Sequence, residues 1–270
     1  MRSPFALLPL LLCVATSAAA QDAFPLPPPD LAAAKHVRLW ATHYNVHPAV
    51  ATTAGTPLLG MDGTAIGPAL SPRDWCLAAL EGTVAVTTDT GTTTYNYAGK
   101  AAEAQADCVQ VLALDPAGKP WANALGRSRF KRSRGPYGEG TGDFDLVPYR
   151  TIAVDPAILP FGTVLYVPDA RGATVTLPDG TPVVHDGYFF AADTGGAIKQ
   201  THIDVFCGVA TSNCLPGFVH SNATKTFDAY IVDDAEADRF LSGLHRPTVA
   251  PVPISDAPTP PAAPPSPPPR

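Results

Sequence analysis

The 270-residue chain is poor in charged residues and has few long apolar runs. Lys, Arg, Asp and Glu make up 16% of it, and the formal net charge at pH 7 is −6. An acidic balance of this kind argues against nucleic acid as a partner. Beyond the N-terminus no stretch has the roughly 20 apolar residues that a membrane-spanning helix needs, so we predict no transmembrane span.

The apolar run near the N-terminus is shorter than a span and is typical of a signal peptide. Arg2 gives a positive start, residues 5–15 are apolar, and the alanines of residues 18–20 form a cleavage site before Gln21. We therefore expect residues 1–20 to be removed. The mature protein would be exported, either to the periplasm or out of the cell.

Cleavage would leave four cysteines, Cys76, Cys108, Cys207 and Cys214. An even number in an oxidising compartment favours disulfides, and four cysteines allow three pairings. The spacing of Cys207 and Cys214 closes a short loop, so we favour this pair together with Cys76–Cys108. The sequence has no C-x-x-C motif and its histidines are scattered, so it predicts no metal site.

Proline marks two segments that we expect to lie outside the folded domain. Residues 21–35 contain several prolines and are predicted to be a linker. Residues 246–270 consist largely of proline and alanine, which predicts an extended, disordered tail. The folded domain is accordingly predicted to span residues 36–245.

Within this domain helices are scarce, and short alternating or β-branched runs recur between Gly, Pro, Asn and Asp residues. Short helices are predicted after Ser71, with Pro72 in its first turn, and over residues 233–241. The predicted strands are 37–44, 82–88, 92–97, 108–114, 163–167, 173–177, 188–192, 202–206 and 227–232. Many short strands with few helices predict an all-β fold, either a closed barrel or a sandwich, because strand edges must be paired or covered.

One basic cluster lies in the middle of the chain. It has two interpretations, a solvated strand edge or a groove for a polyanion or a peptide carboxylate. Its members are Arg127, Arg129, Lys131, Arg132 and Arg134.

Residues 185–208 (HDGYFFAADTGGAIKQTHIDVFCG) place two aspartates in an unusually apolar setting. Asp193 precedes a predicted Thr-Gly-Gly turn, and Asp204 lies within Ile-Asp-Val-Phe. Buried carboxylates are costly unless they are paired or protonated. If the turn folds the chain back, proximity and apolar surroundings would raise one pKa and produce a general acid. The alternative is that Asp193 hydrogen-bonds its own turn.

The segment His-Ile-Asp-Val-Phe is predicted to be a strand with two different faces. Ile203 and Val205 would face the core, whereas His202, Asp204 and Phe206 would share the opposite face. A carboxylate between an imidazole and an aromatic ring suits the wall of a cleft.

Three segments, AVDPAILPFGTVLYV, HDGYFFAADTGGAIK and HIDVF, closely resemble the 3D domain, which is named for its three aspartates. The resemblance extends over about residues 150–208, and the aspartates fall on Asp155, Asp193 and Asp204. The domain occurs in membrane-bound lytic transglycosylase A and related cell-wall proteins. The resemblance implies a double-psi β-barrel that acts on peptidoglycan glycan strands at the cell wall, without a metal or organic cofactor. We expect a monomer.

The resemblance also implies a role for each aspartate. Asp204 would be the acid and base of a lytic transglycosylase, whereas Asp193 and Asp155 would shape the site electrostatically or hold its backbone. Asp204 would protonate the oxygen between N-acetylmuramic acid and N-acetylglucosamine, then accept the proton of the muramoyl C6 hydroxyl, leaving a 1,6-anhydro end. The candidates for positioning the sugar are Tyr188, Thr194, Gly195, Lys199 and His202.

One departure from the family and one further motif keep two alternatives open. Gln200 stands in GAIKQ where the family has glycine; if that position requires a positive φ, the turn beside Asp204 is strained or shifted. A non-catalytic peptidoglycan-binding barrel is the first alternative. The second is an aspartic protease, because Asp-Thr-Gly occurs at both Asp89 and Asp193, and such enzymes need two carboxylates that share a proton. Asp89, however, lies in a predicted polar hairpin.

Overall fold

The computed structural model describes residues 23–246. The predicted signal peptide, and the predicted tail after Arg246, lie outside the described residues. Within the described range the strands are β1 Lys35–Tyr44, β2 His47–Val50, β3 Thr56–Leu59, β4 Ala65–Leu70, β5 Thr83–Thr88, β6 Gly91–Lys100, β7 Ser128–Arg132, β8 Thr151–Ala153, β9 Val164–Tyr166, β10 Thr174–Thr176, β11 Pro182–Val184, β12 Tyr188–Asp193, β13 His202–Phe206 and β14 Phe227–Ile231.

The helices in the same range are short. They are α1 Pro72–Glu81, α2 Cys108–Val111 and α3 Ala235–His245, with 3-10 helices at Pro120–Arg127, Thr141–Asp143 and Pro168–Ala170. None of the helices in this part of the chain is both long and apolar enough to cross a membrane.

Six strands close into a barrel in the order β1, β13, β8, β12, β9, β14. The pairs β1–β13 and β8–β12 are parallel, and the other four neighbouring pairs are antiparallel. Alternate residues of each strand point inward and form the largest apolar cluster, which includes Leu39, Ile152, Leu165, Phe189 and Val205. The mostly β fold with a closed barrel is therefore confirmed. The double-psi topology stays a prediction.

A second sheet packs beside the barrel, with the strand order β2, β5, β6, β7. It has its own apolar core, in which Trp75 of α1 packs against Phe130 of β7 with ring centroids 5.8 Å apart. Residues 36–245 thus contain the closed barrel and a second layer, which consists of this second sheet and its helices. The predicted site lies on the side of the barrel that faces the second layer.

The helix predicted after Ser71 is confirmed as α1. The Ser71 hydroxyl accepts a hydrogen bond from the backbone N–H of Asp74 at 3.1 Å, Pro72 opens the first turn, and Gly82 ends the helix at φ 82°. The helix predicted over residues 233–241 is also confirmed, as α3, and the Asp234 carboxylate caps its first turn.

The strand predicted over residues 108–114 is wrong, because this stretch forms α2 and a turn. The Asp107 carboxylate accepts a hydrogen bond from the backbone N–H of Gln110 at 3.0 Å and so caps a helical turn. Cys108 is also tied to α1 by a disulfide. These two constraints outweigh the β preference of the valines in this stretch.

Both predicted disulfides are confirmed. Cys76–Cys108 joins α1 to α2, with an S–S distance of 2.04 Å. Cys207–Cys214 closes the loop that follows β13, with an S–S distance of 2.02 Å.

The described part of the predicted N-terminal linker packs on the barrel. Leu26 is buried at 5% exposure, and its N–H donates to the Asp186 carboxylate at 3.1 Å. Arg150, buried at 1% exposure, makes two bonds to Asp186 of 2.6 and 2.8 Å, and also donates to the Ala23 carbonyl at 2.7 Å. The Arg150 guanidinium lies 4.2 Å from the ring centroid of Phe24. A buried, bidentate ion pair therefore fastens this segment to the barrel.

The basic cluster lies on and around β7, which is an edge strand of the second sheet. Lys131 contacts Glu139 at 3.2 Å, and Arg134 contacts Asp145 at 2.9 Å. Pairing with carboxylates of the same chain favours the interpretation of a charged strand edge over that of a polyanion groove.

Candidate active site

Strand β1 supplies one wall of the site. It runs parallel to β13, with Trp40 opposite His202 and Thr42 opposite Asp204. Because side chains alternate along a strand, Trp40, Thr42 and Tyr44 share one face of β1. The opposite face of β13 carries Ile203 and Val205 into the barrel core, as the sequence predicts.

The two carboxylates are brought together by strand β8, which lies between β12 and β13. Ala153 of β8 is the register partner of both Asp193 and Asp204. Directly opposed residues point to the same face of a sheet, so both carboxyl groups lie on the outer face of the barrel, with α-carbons two strand spacings apart, about 10 Å.

A β-bulge is responsible for the position of Asp193. The register of β12 against β8 shifts between Ala191 and Asp193, so that Asp193 takes the place opposite Ala153. A bulge re-aims the side chains that follow it, and here it turns Asp193 to the face that carries Asp204.

The chain that follows the second sheet packs closely against this face of the barrel. Gly140 follows the second sheet in the chain, and a Cβ built on it would lie only 2.3 Å from the Ala192 carbonyl oxygen and 3.2 Å from the Asp193 Cβ. Only glycine allows the backbone to pass this close to β12. Tyr137, nearby in the chain, packs edge-on against Phe206, with ring centroids 6.5 Å apart. The site therefore lies where the outer face of the barrel meets the second layer.

Asp204 is partly buried and accepts one short hydrogen bond. The Thr42 hydroxyl lies 2.6 Å from Asp204 Oδ1, and no other residue of the described chain donates to this carboxyl group. Burial is the main cause that raises the pKa of Asp204 to about 8; the Thr42 bond opposes the rise, and the negative charges of Glu81 and Asp193 add to it. Asp204 is therefore mostly protonated at neutral pH.

Asp193 is held by two donors. The Tyr44 hydroxyl donates to Oδ2 at 2.8 Å, and the Thr194 N–H donates to Oδ1 at 2.8 Å. Burial raises the pKa of Asp193 to about 6, and both bonds oppose the rise. The bond to its own turn is thus present, but Asp193 also faces the Asp204 side of the barrel. At neutral pH the two acids differ in charge.

Asp155 takes a different position from the other two. It accepts hydrogen bonds from the backbone N–H groups of Gln200 at 2.8 Å and Ala157 at 3.1 Å. These bonds hold the pKa of Asp155 below its usual value. Asp155 therefore carries a negative charge and fixes the backbone of the 194–201 loop.

Gln200 adopts φ 58°, the left-handed conformation that favours glycine. The condition under which the sequence predicts strain at this position is therefore met, and a non-glycine residue there costs roughly 1–2 kcal/mol. The turn nevertheless keeps its contacts, because the Gln200 N–H still reaches Asp155 and the His202 N–H reaches the Lys199 carbonyl at 3.1 Å.

The five candidates for positioning the sugar occupy different environments. Tyr188 lies at the opposite end of β12 from Asp193, and its hydroxyl donates to the Pro27 carbonyl at 2.9 Å. The Thr194 hydroxyl donates to the Val154 carbonyl at 3.0 Å.

His202 is only 7% exposed, stacked on Trp40 with ring centroids 3.6 Å apart. Lys199 is exposed and Gly195 is half-buried in the loop after Asp193. Both residues lie on the loop between the two acids, and the Lys199 side chain makes no hydrogen bond to another described residue.

Sequence reasoning missed four residues that contact or charge the site. Three of them follow the period-two pattern of LWATHY in β1, namely Trp40, Thr42 and Tyr44. This pattern predicts that their side chains share one face of the strand, but not which strand lies next to it. Glu81, at the end of α1, accepts a hydrogen bond from the Asn45 N–H at 2.9 Å, and burial raises its pKa. No local pattern marked Glu81, because its position depends on the packing of the second layer.

The second Asp-Thr-Gly motif does not join the site. Asp89 is exposed in the hairpin turn between β5 and β6, as predicted, and the Asp193 oxygens are bonded to Tyr44 and Thr194. The proton-sharing pair of an aspartic protease is therefore not formed by these two residues. Between residues 23 and 246 no group of three or more His, Cys, Asp or Glu is arranged to hold a metal ion.

Comparisons with known proteins agree with this architecture. Residues 150–224 match the 3D domain, which confirms the resemblance seen in the sequence. The crystal structure of E. coli MltA with bound chitohexaose is 17% identical to this chain, covering 73% of it and 74% of its own length, with a TM-score of 0.50. This likeness shows a shared fold.

A membrane-bound lytic murein transglycosylase from Agrobacterium tumefaciens is 16% identical, covering 77% of this chain and 78% of its own, with a TM-score of 0.49. No curated protein matches the sequence.

Proposed function

We propose that this protein is an exported peptidoglycan lytic transglycosylase that cleaves the β-1,4 bond between N-acetylmuramic acid and N-acetylglucosamine. Asp204 is its general acid and base, and the product carries a 1,6-anhydro-muramoyl end. The two disulfides fit an oxidising compartment outside the cytoplasm.

The observation that carries this proposal is the environment of Asp204. Its carboxyl group is partly buried and has a pKa raised to about 8, and Thr42 contacts only one of its oxygens. The other oxygen, Oδ2, has no partner among the described residues. A general acid that protonates a glycosidic oxygen needs a protonated carboxyl group with one oxygen accessible, and Asp204 meets this requirement.

The reaction follows from one carboxyl group acting twice. Asp204 gives its proton to the glycosidic oxygen as the bond from the muramoyl C1 breaks, and the N-acetylglucosamine leaves with that proton on its O4. The muramoyl C6 hydroxyl then attacks C1, and its proton passes to the Asp204 carboxylate. Asp204 ends protonated, no water is consumed, and the sugar closes into the anhydro ring.

Asp193 and Asp155 support this chemistry without giving up a proton. Asp193, mostly ionised at neutral pH, places a negative charge on the face where positive charge develops on the sugar ring. Asp155 holds the loop that carries Lys199, whose exposed side chain is available to bind a sugar or peptide-stem oxygen.

The comparison with E. coli MltA supports a glycan substrate. That protein shares the fold and was crystallised with bound chitohexaose, an oligosaccharide. The alternative, a barrel that binds peptidoglycan without cleaving it, is suggested by the strain at Gln200. The loop contacts retained around Gln200 favour an intact site.

Digestion of purified sacculi, followed by muropeptide analysis, tests the proposal. The mature protein is expected to release anhydro-muropeptides, and Asp204→Asn is expected to abolish them, because asparagine keeps the contact with Thr42 but cannot donate and retake a proton. Asp89→Asn, in the exposed hairpin, is the matched control and should be fully active.

Other products would overturn the proposal in distinct ways. Ordinary reducing ends would identify a hydrolase. Co-sedimentation with sacculi, without any released muropeptide, would identify the binding barrel instead.

A further inference from the structure

We infer that His202 is a positioning residue that acts on Asp204 through the Thr42 hydroxyl, which turns between the two as Asp204 gains and loses its proton. The effect on rate rests on the proposed transglycosylase function. The hydrogen-bonding arrangement itself does not.

The three side chains form an unbroken chain across β1 and β13. Thr42 Oγ1 lies 2.6 Å from Asp204 Oδ1 and 2.9 Å from His202 Nε2. The second ring nitrogen of His202, Nδ1, lies 3.2 Å from the Ala197 carbonyl oxygen. His202 is 7% exposed and stacked on Trp40, so its ring is held in this orientation.

A hydroxyl carries one proton, so Thr42 can donate to only one of its two neighbours. When Asp204 is ionised, Thr42 must donate to Oδ1, and the contact with His202 then requires a proton on Nε2. When Asp204 is protonated, its own O–H can make the Oδ1 contact. Thr42 is then free to donate to Nε2 of a neutral His202 whose Nδ1–H binds Ala197.

The charged groups around the chain favour the neutral arrangement at rest. Asp193 of β12, Glu81 of α1 and Tyr44 of β1 face Asp204, and the first two oppose its ionisation. Burial lowers the pKa of His202, and among residues 23–246 its ring has one other hydrogen-bond partner, the Ala197 carbonyl. A neutral imidazole therefore lies beside a neutral carboxyl group.

During the reaction, the Thr42 hydroxyl becomes a hydrogen-bond donor to Asp204 at the moment when Asp204 loses its proton. As Asp204 gives up its proton to the substrate, negative charge develops on the carboxyl group, and the Thr42 hydroxyl turns to Oδ1 to stabilise it. Hydrogen bonds to a charged acceptor are about twice as strong as neutral ones, so the turn is favourable at that moment.

Nuclear magnetic resonance of the mature protein tests the chain without any substrate. The ¹³C shift of the Asp204 carboxyl group and the ¹⁵N shifts of the His202 ring are followed together against pH. We expect the His202 nitrogens to move with the same midpoint as Asp204. In Thr42→Val this step in His202 should vanish while Asp204 still titrates, and Thr42→Ser should restore it.

The valine variant separates the chain from simple electrostatics. If the His202 shifts followed Asp204 equally well in Thr42→Val, the two groups would sense each other only through space, and the inference would be overturned. It would also be overturned if His202 kept the same shifts while Asp204 ionised in the unaltered protein. Thermal melting of both variants checks that they fold, and the serine variant keeps the test available if the valine variant does not.

The activity measurement uses the same variants. Thr42→Val should lower kcat about ten- to a hundredfold with KM changed less than about twofold, because the bond strengthens only as charge develops. His202→Phe keeps a ring against Trp40 and should lower kcat less. The double variant should be no slower than Thr42→Val, because the chain is already broken. Fully additive losses would contradict a shared chain.

The two proposals fail separately. A protein that releases no anhydro-muropeptides but shows the coupled titration would lose the proposed function and keep the chain. Anhydro products without coupled titration would leave the function standing and remove the chain.

Discussion

Asp204 keeps its proton in a partly buried site, and this lowers the stability of the folded protein at neutral pH. Its pKa rises from the usual 3.8 to about 8 in the folded protein. Between these pH values the unfolded chain releases a proton that the folded chain keeps. The stability that this group contributes is therefore fully present below about pH 4 and is lost as pH rises towards 8.

Asp204→Asn should consequently raise the stability of the protein at neutral pH. Asparagine does not titrate, so we expect a gain on the order of 2 kcal/mol at pH 8, after allowance for the partial solvent contact of the site, and little gain at pH 4. Urea unfolding at both pH values measures it. Asp89→Asn, in the exposed hairpin, should change nothing, and a gain at pH 4 equal to that at pH 8 would contradict this account.

Gln200 is the second residue in an unfavourable position, because its backbone conformation is one that favours glycine. Because it adopts φ 58°, Gln200→Gly should stabilise the protein by up to about 1 kcal/mol while retaining the bond to Asp155, which uses only the backbone N–H. Lys199→Gly, one residue earlier and without a positive φ, is the control and should destabilise. Equal effects of the two substitutions in thermal unfolding would show that Gln200 is not strained.

Most of this residue-level chemistry lay within reach of the sequence. Asp193 and Asp204 were found from their apolar setting, Asp155 from the 3D resemblance, and the faces of His-Ile-Asp-Val-Phe from the alternation of side chains. Thr42, Tyr44 and Glu81 were missed because nothing local in the sequence says which strand or helix will lie against Asp204. Their roles arise from parallel pairing and from packing of the second layer.

Among the elements, the N-terminal segment was the least predictable. Its prolines indicated a linker, yet Leu26 is buried and Arg150 binds the Ala23 carbonyl. A proline-rich composition indicates that a segment lacks regular structure, but it does not indicate whether the segment packs on the folded domain. Here the packing depends on the ion pair between Arg150 and Asp186, which are distant from the segment in the chain. The error over residues 108–114 has a similar origin, since a capping aspartate and a disulfide overrode strand propensity.

The Arg150–Asp186 pair supports a prediction at this scale. Asp186→Ala would leave the guanidinium buried at 1% exposure without its partner and should cost about 3–5 kcal/mol. Asp228→Ala, which removes the exposed partner of Arg38, should cost less than about 1 kcal/mol. Urea unfolding of both variants gives the comparison. Equal losses would show that the segment is not held by this pair.

Across the whole molecule, the site joins a barrel face to a second layer, and its pH response should reflect both. The pKa values of about 6 for Asp193 and about 8 for Asp204 predict that kcat is highest between them. Below this window Asp193 becomes neutral, and above it Asp204 loses the proton that it donates in the proposed mechanism.

Glu81 should shift one side of this profile. Its negative charge raises the pKa of Asp204, so Glu81→Gln should lower that pKa and move the alkaline limb of the kcat profile to lower pH. Initial rates on sacculi across pH measure the shift, with Asp89→Asn as the unshifted control. An alkaline limb that stays in place, or moves to higher pH, would remove Glu81 from the electrostatics of the site.

Ala153 has a consequence beyond the pairing of the two acids. Since Asp193 and Asp204 are both register partners of this one residue, on the strands at either side of it, their separation is a multiple of the sheet's own repeat. The loop between them could lengthen or shorten during evolution without altering that distance. A single insertion within β8, by contrast, would disrupt both at once. The spacing of the acids is thus set by the barrel and not by the length of the connecting loop.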